Sequence, residues 1–423
     1  MTQLYDHYLK NPEICTDSRK ISHHCLFFAL KGPHFNANEY ALEALQKGAS
    51  YAIIDDDKYA IDERFIVVKD TLKTLQELAR YHRKKLNCTV LGITGSNGKT
   101  TSKELCLQVL KQKYKTRATA GNLNNHIGVP LSLLAIDADT EFAIIEMGAN
   151  HIGEIDFLCD IAQPDYGVIT NVGKAHLEGF GSIDGVLQAK TELYRYLATK
   201  NASVFVKDNN PTLIDKIPNN CPVISYGELH KSCFVIKFNG AKPYVNIEFE
   251  DTQMKTQLIG DYNFDNIALS IAVGKQFDIP TTDIKEAIEN YIASNNRSQI
   301  IETKSNTILL DAYNANPMSL EKAIQNIKNI SHETKVMILG DMFELGEEAE
   351  KEHQKIINQC LKSGVSNVFL VGNIFNRLNK TSYESYATTT ALINRLKKQP
   401  IKNTFILIKG SRGIQLETLV DSL

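Results

Sequence analysis

The chain has no marked excess of either charge, no long apolar run and no paired cysteines, and each absence removes a class of protein. Across 423 residues, 47 Lys and Arg stand against 49 Asp and Glu, a net charge of −2. That balance gives no reason to expect general binding to nucleic acid or to an anionic membrane. No apolar stretch approaches the roughly 20 residues needed to cross a bilayer. The first residues, Met1-Thr2-Gln3-Leu4-Tyr5-Asp6-His7, lack the basic start and apolar core of a secretion signal, so a cytoplasmic location is expected. The eight cysteines (Cys15, Cys25, Cys88, Cys106, Cys159, Cys221, Cys233 and Cys360) include no C-x-x-C pair. They fit reduced thiols, several in cores, and not a zinc site or a disulfide framework. What remains is an ordinary globular composition, 43% hydrophobic and 23% charged, over a length that suits about two to four domains.

Hydrophobic patterning divides the chain into three regions. Residues 1–86 hold short strand-like runs, Cys25–Leu30 and Tyr51–Ile54, with a helical segment around Ala41–Gly48. A charged helix over Thr71–Lys85 closes that region. Residues 87–296 carry continuous apolar runs at Val90–Thr94, Phe142–Met147 and Tyr166–Thr170, the pattern of parallel strands covered on both faces. Alternating runs at Ser203–Val206, Cys233–Phe238, Tyr244–Phe249 and Met254–Ile259 predict an antiparallel extension of that sheet, and Asn263–Phe277 predicts a helix. In residues 297–423, strand candidates Thr307–Asp311, Val336–Gly340, Val368–Gly372 and Phe405–Ile408 alternate with helices. After the first, Leu320, Ala323, Ile324 and Ile327 recur at helical spacing. Such alternation predicts a parallel sheet, and the missing G-x-G-x-x-G argues against a dinucleotide site.

The chemistry concentrates at Thr94-Gly95-Ser96-Asn97-Gly98-Lys99-Thr100, between the run Val90–Ile93 and a helical segment bearing Leu105, Val109 and Leu110. Strand, glycine turn and helix in that order make an anion site. Backbone N–H groups converge on phosphate oxygens, the helix N-terminus adds positive partial charge, and lysine neutralises the remainder. A hydroxyl at Thr100 is positioned to reach magnesium between two phosphates. The loop is a Walker A motif short of its first glycine, because Ile93 stands five residues before Gly98. That lapse, with no N-K-x-D motif, argues against a guanine-nucleotide switch.

Four further positions stand out. Glu146 ends the run Phe142–Ile145, where a strand-end carboxylate beside a phosphate loop can hold magnesium. His176 lies in a polar loop, Thr170–Glu178, that opens on the same sheet edge and suits metal or substrate contact. Lys190, in Ala189-Lys190-Thr191-Glu192, has by itself the pattern of a helix-surface lysine. Asp311, before Tyr313-Asn314-Ala315-Asn316-Pro317, suits either a ribose hydroxyl or a helix cap, and Asn316 or Ser319 would serve equally as the cap.

Together T-G-S-N-G-K-T, E-M-G-A (146–149), N-V-x-x-A-H-L-E-x-F-G-S (171–182), A-K-T-E (189–192) and D-x-Y-N-A-N-P (311–317) resemble the Mur ligases of peptidoglycan synthesis, over essentially the whole chain. The resemblance implies an α/β protein of three domains. Residues 1–86 would bind the UDP-sugar, with Ser18 and Arg19 in Thr16-Asp17-Ser18-Arg19 beside Phe27–Gly32. Residues 87–296 would form a P-loop ATPase domain around a parallel sheet. Residues 297–423 would form a Rossmann-like domain that closes over ATP and receives the incoming amine.

The same resemblance implies roles. Thr94, Gly95, Ser96, Asn97, Gly98, Lys99, Thr100 and Thr101 would hold ATP, with Asn263 and Asn266 at adenine, Arg297 at the γ-phosphate and Asp311 at ribose. Two magnesium ions are expected, one on Thr100 and Glu146, the other served by His176 and a Lys190 carbamylated by carbon dioxide. Asn122, Asn124, Asn125, Tyr313, Asn314, Asn316 and Lys409 would line the substrate side. Y-N-A-N-P, Gly340–Gly346 and Lys409–Gly413 are similar to members that add D-alanyl-D-alanine to UDP-N-acetylmuramoyl-tripeptide, and the protein is expected to be a monomer. The alternatives are a family member adding one amino acid, whose diaminopimelate-type D-N-P-R motif is missing here, or a folylpolyglutamate synthetase-like ligase. A non-catalytic sugar-nucleotide binder would not need Lys99, Glu146 and His176 together. The chain departs from the family pattern at Tyr262 (commonly His), Leu310 (frequently Asp) and Phe35-Asn36-Ala37-Asn38 (frequently F-D-G-H).

Overall fold

The computed structural model describes residues 1–423. Its first sheet has four short parallel strands in chain order: β1 (Ile14–Cys15), β2 (Leu26–Phe28), β3 (Tyr51–Ile54) and β4 (Phe65–Val67). Leu26, Phe27 and Phe28 are all buried, as a strand covered on both faces requires. The helix α1 (Thr71–Arg83) begins where the Asp70 carboxylate accepts from the Lys73 N–H. Its Leu75 and Leu78 share a core with Val129 and Leu133 of the next region.

The second sheet positions the site. Seven strands, β5 (Thr89–Thr94), β6 (Thr116–Ala118), β7 (Phe142–Glu146), β8 (Tyr166–Ile169), β9 (Ser203–Lys207), β10 (Val223–Gly227) and β11 (Phe234–Val235), lie in the order β11-β10-β9-β8-β5-β7-β6. All pair in parallel. From β5 the chain runs out to β6 and back to β7, then crosses to β8, so the order reverses about β5. In open α/β sheets ligands bind beyond the strand ends at such a reversal.

The expected antiparallel extension is absent. Ser203–Lys207 joins the sheet in parallel, and Val223–Gly227, which the sequence reading leaves out, continues that order. The run Cys233–Phe238 divides: Phe234–Val235 closes the large sheet, while a separate antiparallel sheet starts at β12 (Lys237–Ala241) and continues in β13 (Tyr244–Phe249) and β14 (Thr252–Ile259). Alternation reports one wet face and carries no information on which sheet accepts the strand. Val245, Ile247 and Phe249 face a core shared with Ile267 and Ile271 of α3 (Asn263–Gln276) and with Leu105 and Val109 of α2 (Lys99–Leu110).

The third sheet has the order β15-β16-β20-β17-β18-β19, from β15 (Gln299–Glu302), β16 (Asn306–Asp311), β17 (Lys335–Gly340), β18 (Asn367–Val371), β19 (Glu384–Tyr386) and β20 (Thr404–Lys409). It is parallel as predicted except for β15, an additional edge strand antiparallel to β16. After β16, α4 (Pro317–Asn329) opens with a capping box in which Asn316 and Ser319 bond reciprocally, and Leu320, Ala323, Ile324 and Ile327 are buried as their spacing predicts. All eight cysteines are free, and Cys233 alone is exposed. No helix is long and apolar enough to cross a membrane.

Candidate active site

The loop after β5 has a backbone that demands its glycines. Gly95 and Gly98 have φ of +141° and +80°, and a Cβ there would lie 2.0 Å from Thr170 Oγ1 and 2.5 Å from Asn266 Oδ1. The stretch after β8 braces this loop from one side. Asn171 O accepts from Ser96 N at 2.9 Å, Asn171 Oδ1 accepts from Asn97 N at 3.0 Å, and Thr170 Oγ1 donates to Asn97 O at 2.6 Å. Ser96 Oγ accepts from Gly173 N at 3.0 Å. The bracing residues Thr170 and Asn171 were legible as a polar loop on the same edge, but their grip on the phosphate loop was not.

Ser96, Asn97, Gly98, Lys99 and Thr101 face a cavity of about 650 Å³, whereas Thr94, Gly95 and Thr100 form the structure behind it. Lys99 Nζ donates to Gly95 O at 2.6 Å. Burial pushes its amine below the ordinary lysine value; Glu146 opposes that shift and Arg297 adds to it. Electrostatically these three charges share one site.

Behind the loop, Thr100 Oγ1 donates to Glu146 Oε2 at 2.8 Å, and Asn124 Nδ2 donates to Glu146 Oε1 at 2.8 Å. Both Thr100 and Glu146 are buried. A carboxylate and a hydroxyl beside a phosphate loop form a hard oxygen donor set, which fits magnesium. Lys103, which the sequence reading passed over, is buried one turn along α2. Its Nζ donates to Thr119 O at 2.7 Å and Gly121 O at 3.2 Å, and Thr119 Oγ1 accepts from Glu146 N at 3.0 Å. The segment leading to Asn122, Asn124 and Asn125, all three of them cavity residues, is thus tied to the phosphate-loop helix.

Lys190 is not a surface lysine; it is 2% exposed. It ends a short helix, Ile183–Lys190, turned inward against Phe180, whose ring centroid is 5.3 Å from Nζ. Nζ donates at 3.4 Å to the carbonyl of Ala149, a cavity residue. Burial, aided by Lys99, lowers its amine to about 7. Helical spacing shows which residues share a face but not which short helix is covered on every side. Glu192, from the same motif, is buried and accepts from Gly153 N at 2.7 Å and Asp156 N at 3.0 Å, around the start of the helix Glu154–Ala162.

His176 also borders Phe180, at 6.4 Å between ring centroids, and its Nδ1 lies 2.6 Å from Glu344 Oε2. That contact joins the second sheet's loops to the third, and the imidazole holds the Glu344 carboxyl below its usual range. No group of three His, Cys, Asp or Glu side chains converges anywhere in the chain. The lysine ammonium and the paired histidine do not fit a second metal ion as they stand; conversion of Lys190 to an anion would be required.

The third sheet completes the cavity. Arg297 stacks 3.8 Å from the Tyr313 ring centroid, and its Nε is buried without a partner. Asp311 accepts from Lys409 Nζ at 2.5 Å and from Ser298 N at 3.3 Å; the helix cap belongs to Asn316, so Asp311 is no cap. Asn316 also donates through Nδ2 to Asn97 Oδ1 at 2.7 Å, binding the third sheet to the phosphate loop itself. Tyr313, Asn314, Asn316 and Lys409 all line the cavity, as do Asn263 and Asn266. Asn266 accepts from Ser102 Oγ at 3.0 Å and donates to Asn263 Oδ1 at 2.9 Å. Tyr262, at the departure from the family pattern, reaches Ser298 Oγ at 3.0 Å.

Ser18 and Arg19 do not line this cavity. They follow β1, where the exposed Arg19 pairs with Asp17 and Ser18 O accepts from Lys47 Nζ at 3.0 Å. In the same region Asn38 is buried, donating to Asp55 Oδ1 at 2.9 Å and accepting from Asp55 N at 3.0 Å. The departing F-N-A-N sequence therefore builds an internal network.

Residues 93–274 match the Mur ligase middle domain, and residues 296–412 match the Mur ligase, glutamate ligase domain. The chain belongs to the Mur ligase family. Within that class, it is 34% identical to the UDP-N-acetylmuramoyl-tripeptide–D-alanyl-D-alanine ligase of Escherichia coli, over 97% of this chain and 93% of that protein. The crystal structure of MurF from Acinetobacter baumannii superposes with a TM-score of 0.86 at 30% identity, covering 97% of this chain and 93% of the other. MurF ligase from Thermotoga maritima, solved in complex with ADP, gives 0.85 at 26% identity, with 98% and 97% covered.

Proposed function

We propose that the chain joins the amine of D-alanyl-D-alanine to the terminal carboxylate of UDP-N-acetylmuramoyl-tripeptide, converting ATP to ADP and phosphate. The observation that carries this reading is one cavity lined by Lys99 of the phosphate loop and by the unpartnered Arg297 from the third sheet. It occurs in a chain similar over 97% of its length to UDP-N-acetylmuramoyl-tripeptide–D-alanyl-D-alanine ligases.

A carboxylate is a poor acylating agent because oxide is a poor leaving group. Transfer of the ATP γ-phosphoryl to the tripeptide carboxylate forms an acyl phosphate; the dipeptide amine adds to its carbonyl, and the tetrahedral intermediate expels phosphate and loses a proton. The substrates supply their own nucleophiles, so catalysis is charge neutralisation and positioning. Lys99 and Arg297 face the transferring phosphoryl group, while Asn263 and Asn266 hold adenine and Asp311 the ribose. Thr100 and Glu146 would hold magnesium, which when bound neutralises phosphate charge and supports in-line transfer. Asn122, Asn124, Asn125, Tyr313 and Asn314 position the substrates.

Lys190 would take up carbon dioxide: its neutral amine attacks the carbon, losing one proton and leaving an anionic carbamate. An amine lowered to about 7 supports this, since a substantial neutral fraction exists near neutral pH. The carbamate and His176 would serve a second magnesium ion. Residues 1–86, with Ser18 and Arg19, would carry the UDP-sugar, residues 87–296 ATP, and residues 297–423 the incoming dipeptide, in a cytoplasmic monomer.

Phosphate release from ATP with UDP-N-acetylmuramoyl-tripeptide, measured against different amines, tests the reading. Release that depends on D-alanyl-D-alanine is expected; release driven by a single amino acid would transfer the chain to a neighbouring activity.

A further inference from the structure

Two cations have no task in that scheme: Lys322 on the cavity wall, and Arg412, exposed beside the lining residue Tyr313. Lys99 and Arg297 face phosphate, and Lys409 is neutralised by Asp311. Arg412, at the start of the turn Arg412–Ile414 after β20, pairs with no carboxylate; its guanidinium lies 5.3 Å from the centroid of Tyr313. The same ring carries Arg297 at 3.8 Å. We propose that Arg412 binds the C-terminal carboxylate of the incoming D-alanyl-D-alanine and so selects a dipeptide over a single amino acid. The proposal rests on the function given above.

The geometry follows from the reaction. Arg297 marks the transferring phosphoryl group, and the attacking amine must come within roughly 3–3.5 Å of the carbonyl attached to it. A dipeptide carries its carboxylate about 7 Å from its amine, and a single amino acid only about half as far. With the two guanidinium carbons 3.8 and 5.3 Å from one ring centroid, the arginines stand no more than about 9 Å apart, a span that admits a dipeptide between them. The guanidinium fork also matches a carboxylate through two parallel hydrogen bonds.

The turn is anchored as a specificity element must be. Ser411 N donates to Asp341 O at 3.2 Å, and Ser411 Oγ accepts from Phe343 N at 3.0 Å. A Cβ on Gly413 would lie 2.6 Å from the Phe343 ring, so the two segments are in close contact. Two motifs, K-G-S-R-G and G-D-M-F-E-L-G, thus hold each other in place. Phe343, Ala315 and Met318 line the adjoining wall and suit the methyl groups of two alanines.

The test compares D-alanyl-D-alanine with its C-terminal amide, using phosphate release by the wild-type enzyme and by Arg412→Gln. The variant should raise KM for the dipeptide roughly ten- to a hundredfold, the effect of losing a charge-assisted pair. KM for ATP and for the UDP-tripeptide should move less than about twofold, which also reports an intact fold. The wild type should discriminate against the amide by a similar factor, and Arg412→Gln should not. An unchanged dipeptide KM, or a variant that still rejects the amide, overturns the inference. So does loss of that discrimination in Lys322→Ala, another cation on the cavity wall, with Arg412→Gln unaffected. Wild-type enzyme inactive with the dipeptide would instead overturn the function itself, and this inference with it.

Discussion

The second and third sheets are both predominantly parallel and both end at the same cavity, yet they differ in how they bring charge to it. The second sheet buries it: Glu146, Lys103 and Lys190 are each 2% exposed or less, fixed by neighbours within their own fold. The third sheet carries two arginines on the loops beyond its strands, Arg297 and Arg412 against the Tyr313 ring, and keeps a strand-end pair, Lys409 with Asp311, at its edge. A charge fixed inside one sheet is placed before substrate arrives. A charge brought by the other acts on the phosphate loop only while the two sheets are docked, as Asn316 and Asn97 dock them. The first sheet stands apart from both, its Ser18 and Arg19 outside the cavity.

Substitutions can break this contrast at either side. The largest effect is expected from Lys99→Ala, since the amine faces the charge that develops during transfer. Turnover should fall by on the order of a thousandfold with the unfolding midpoint little changed. Full turnover in a folded variant would remove Lys99 from the chemistry.

Lys190→Ala comes next, with turnover down on the order of a hundredfold and partly restored by a small carboxylic acid. A readout independent of turnover is available. In carbon dioxide-free buffer the folded chain loses the Lys190 proton near pH 7, whereas the unfolded chain keeps it to the ordinary value of 10.5. The unfolded state then binds more protons between these values, so stability rises with pH across that window. Lys190→Met should flatten the rise in Tm; an unaltered slope would mean that the amine is not buried as described.

Asn316 separates folding from docking. Asn316→Asp keeps the oxygen that caps α4 but loses the donor to Asn97, so stability should hold while KM for ATP rises about tenfold. Asn316→Ala should lose about 1 kcal/mol of stability as well. ATP affinity unchanged from the wild type in both variants would break the proposed link. The smallest effect is expected from Lys174→Ala. Its partner Glu352 keeps a second cation, Lys355, also at 2.7 Å, so both stability and rate should change little, by about 1 kcal/mol or less.

Much of this was legible because its signals are local. The phosphate loop needs two glycines, a lysine and a threonine in consecutive register, and helix α4 needs only its apolar spacing. Strand membership was less visible: Ser203–Lys207 and Tyr244–Phe249 look alike in sequence but enter different sheets, because pairing is decided by distant partners. Burial of Lys190 and Lys103 was invisible for a similar reason. Each lies on a helix whose polar-looking face is covered by a segment remote in sequence, so the lysines resembled solvated ones until the covering carbonyls of Ala149, Thr119 and Gly121 were found. The pairing of His176 with Glu344 spans two sheets and leaves no trace in either stretch alone.

The tether made by Lys103 has a thermodynamic consequence. It suspends the Thr119–Gly121 segment, and through it the loop bearing Asn122, Asn124 and Asn125, from the helix whose first turn receives phosphate. If nucleotide improves the affinity for the tripeptide by some factor through this connection, the tripeptide must improve the affinity for nucleotide by the same factor. The two substrates would then behave as mutual effectors through the protein, beyond their direct meeting at the transferred phosphoryl group.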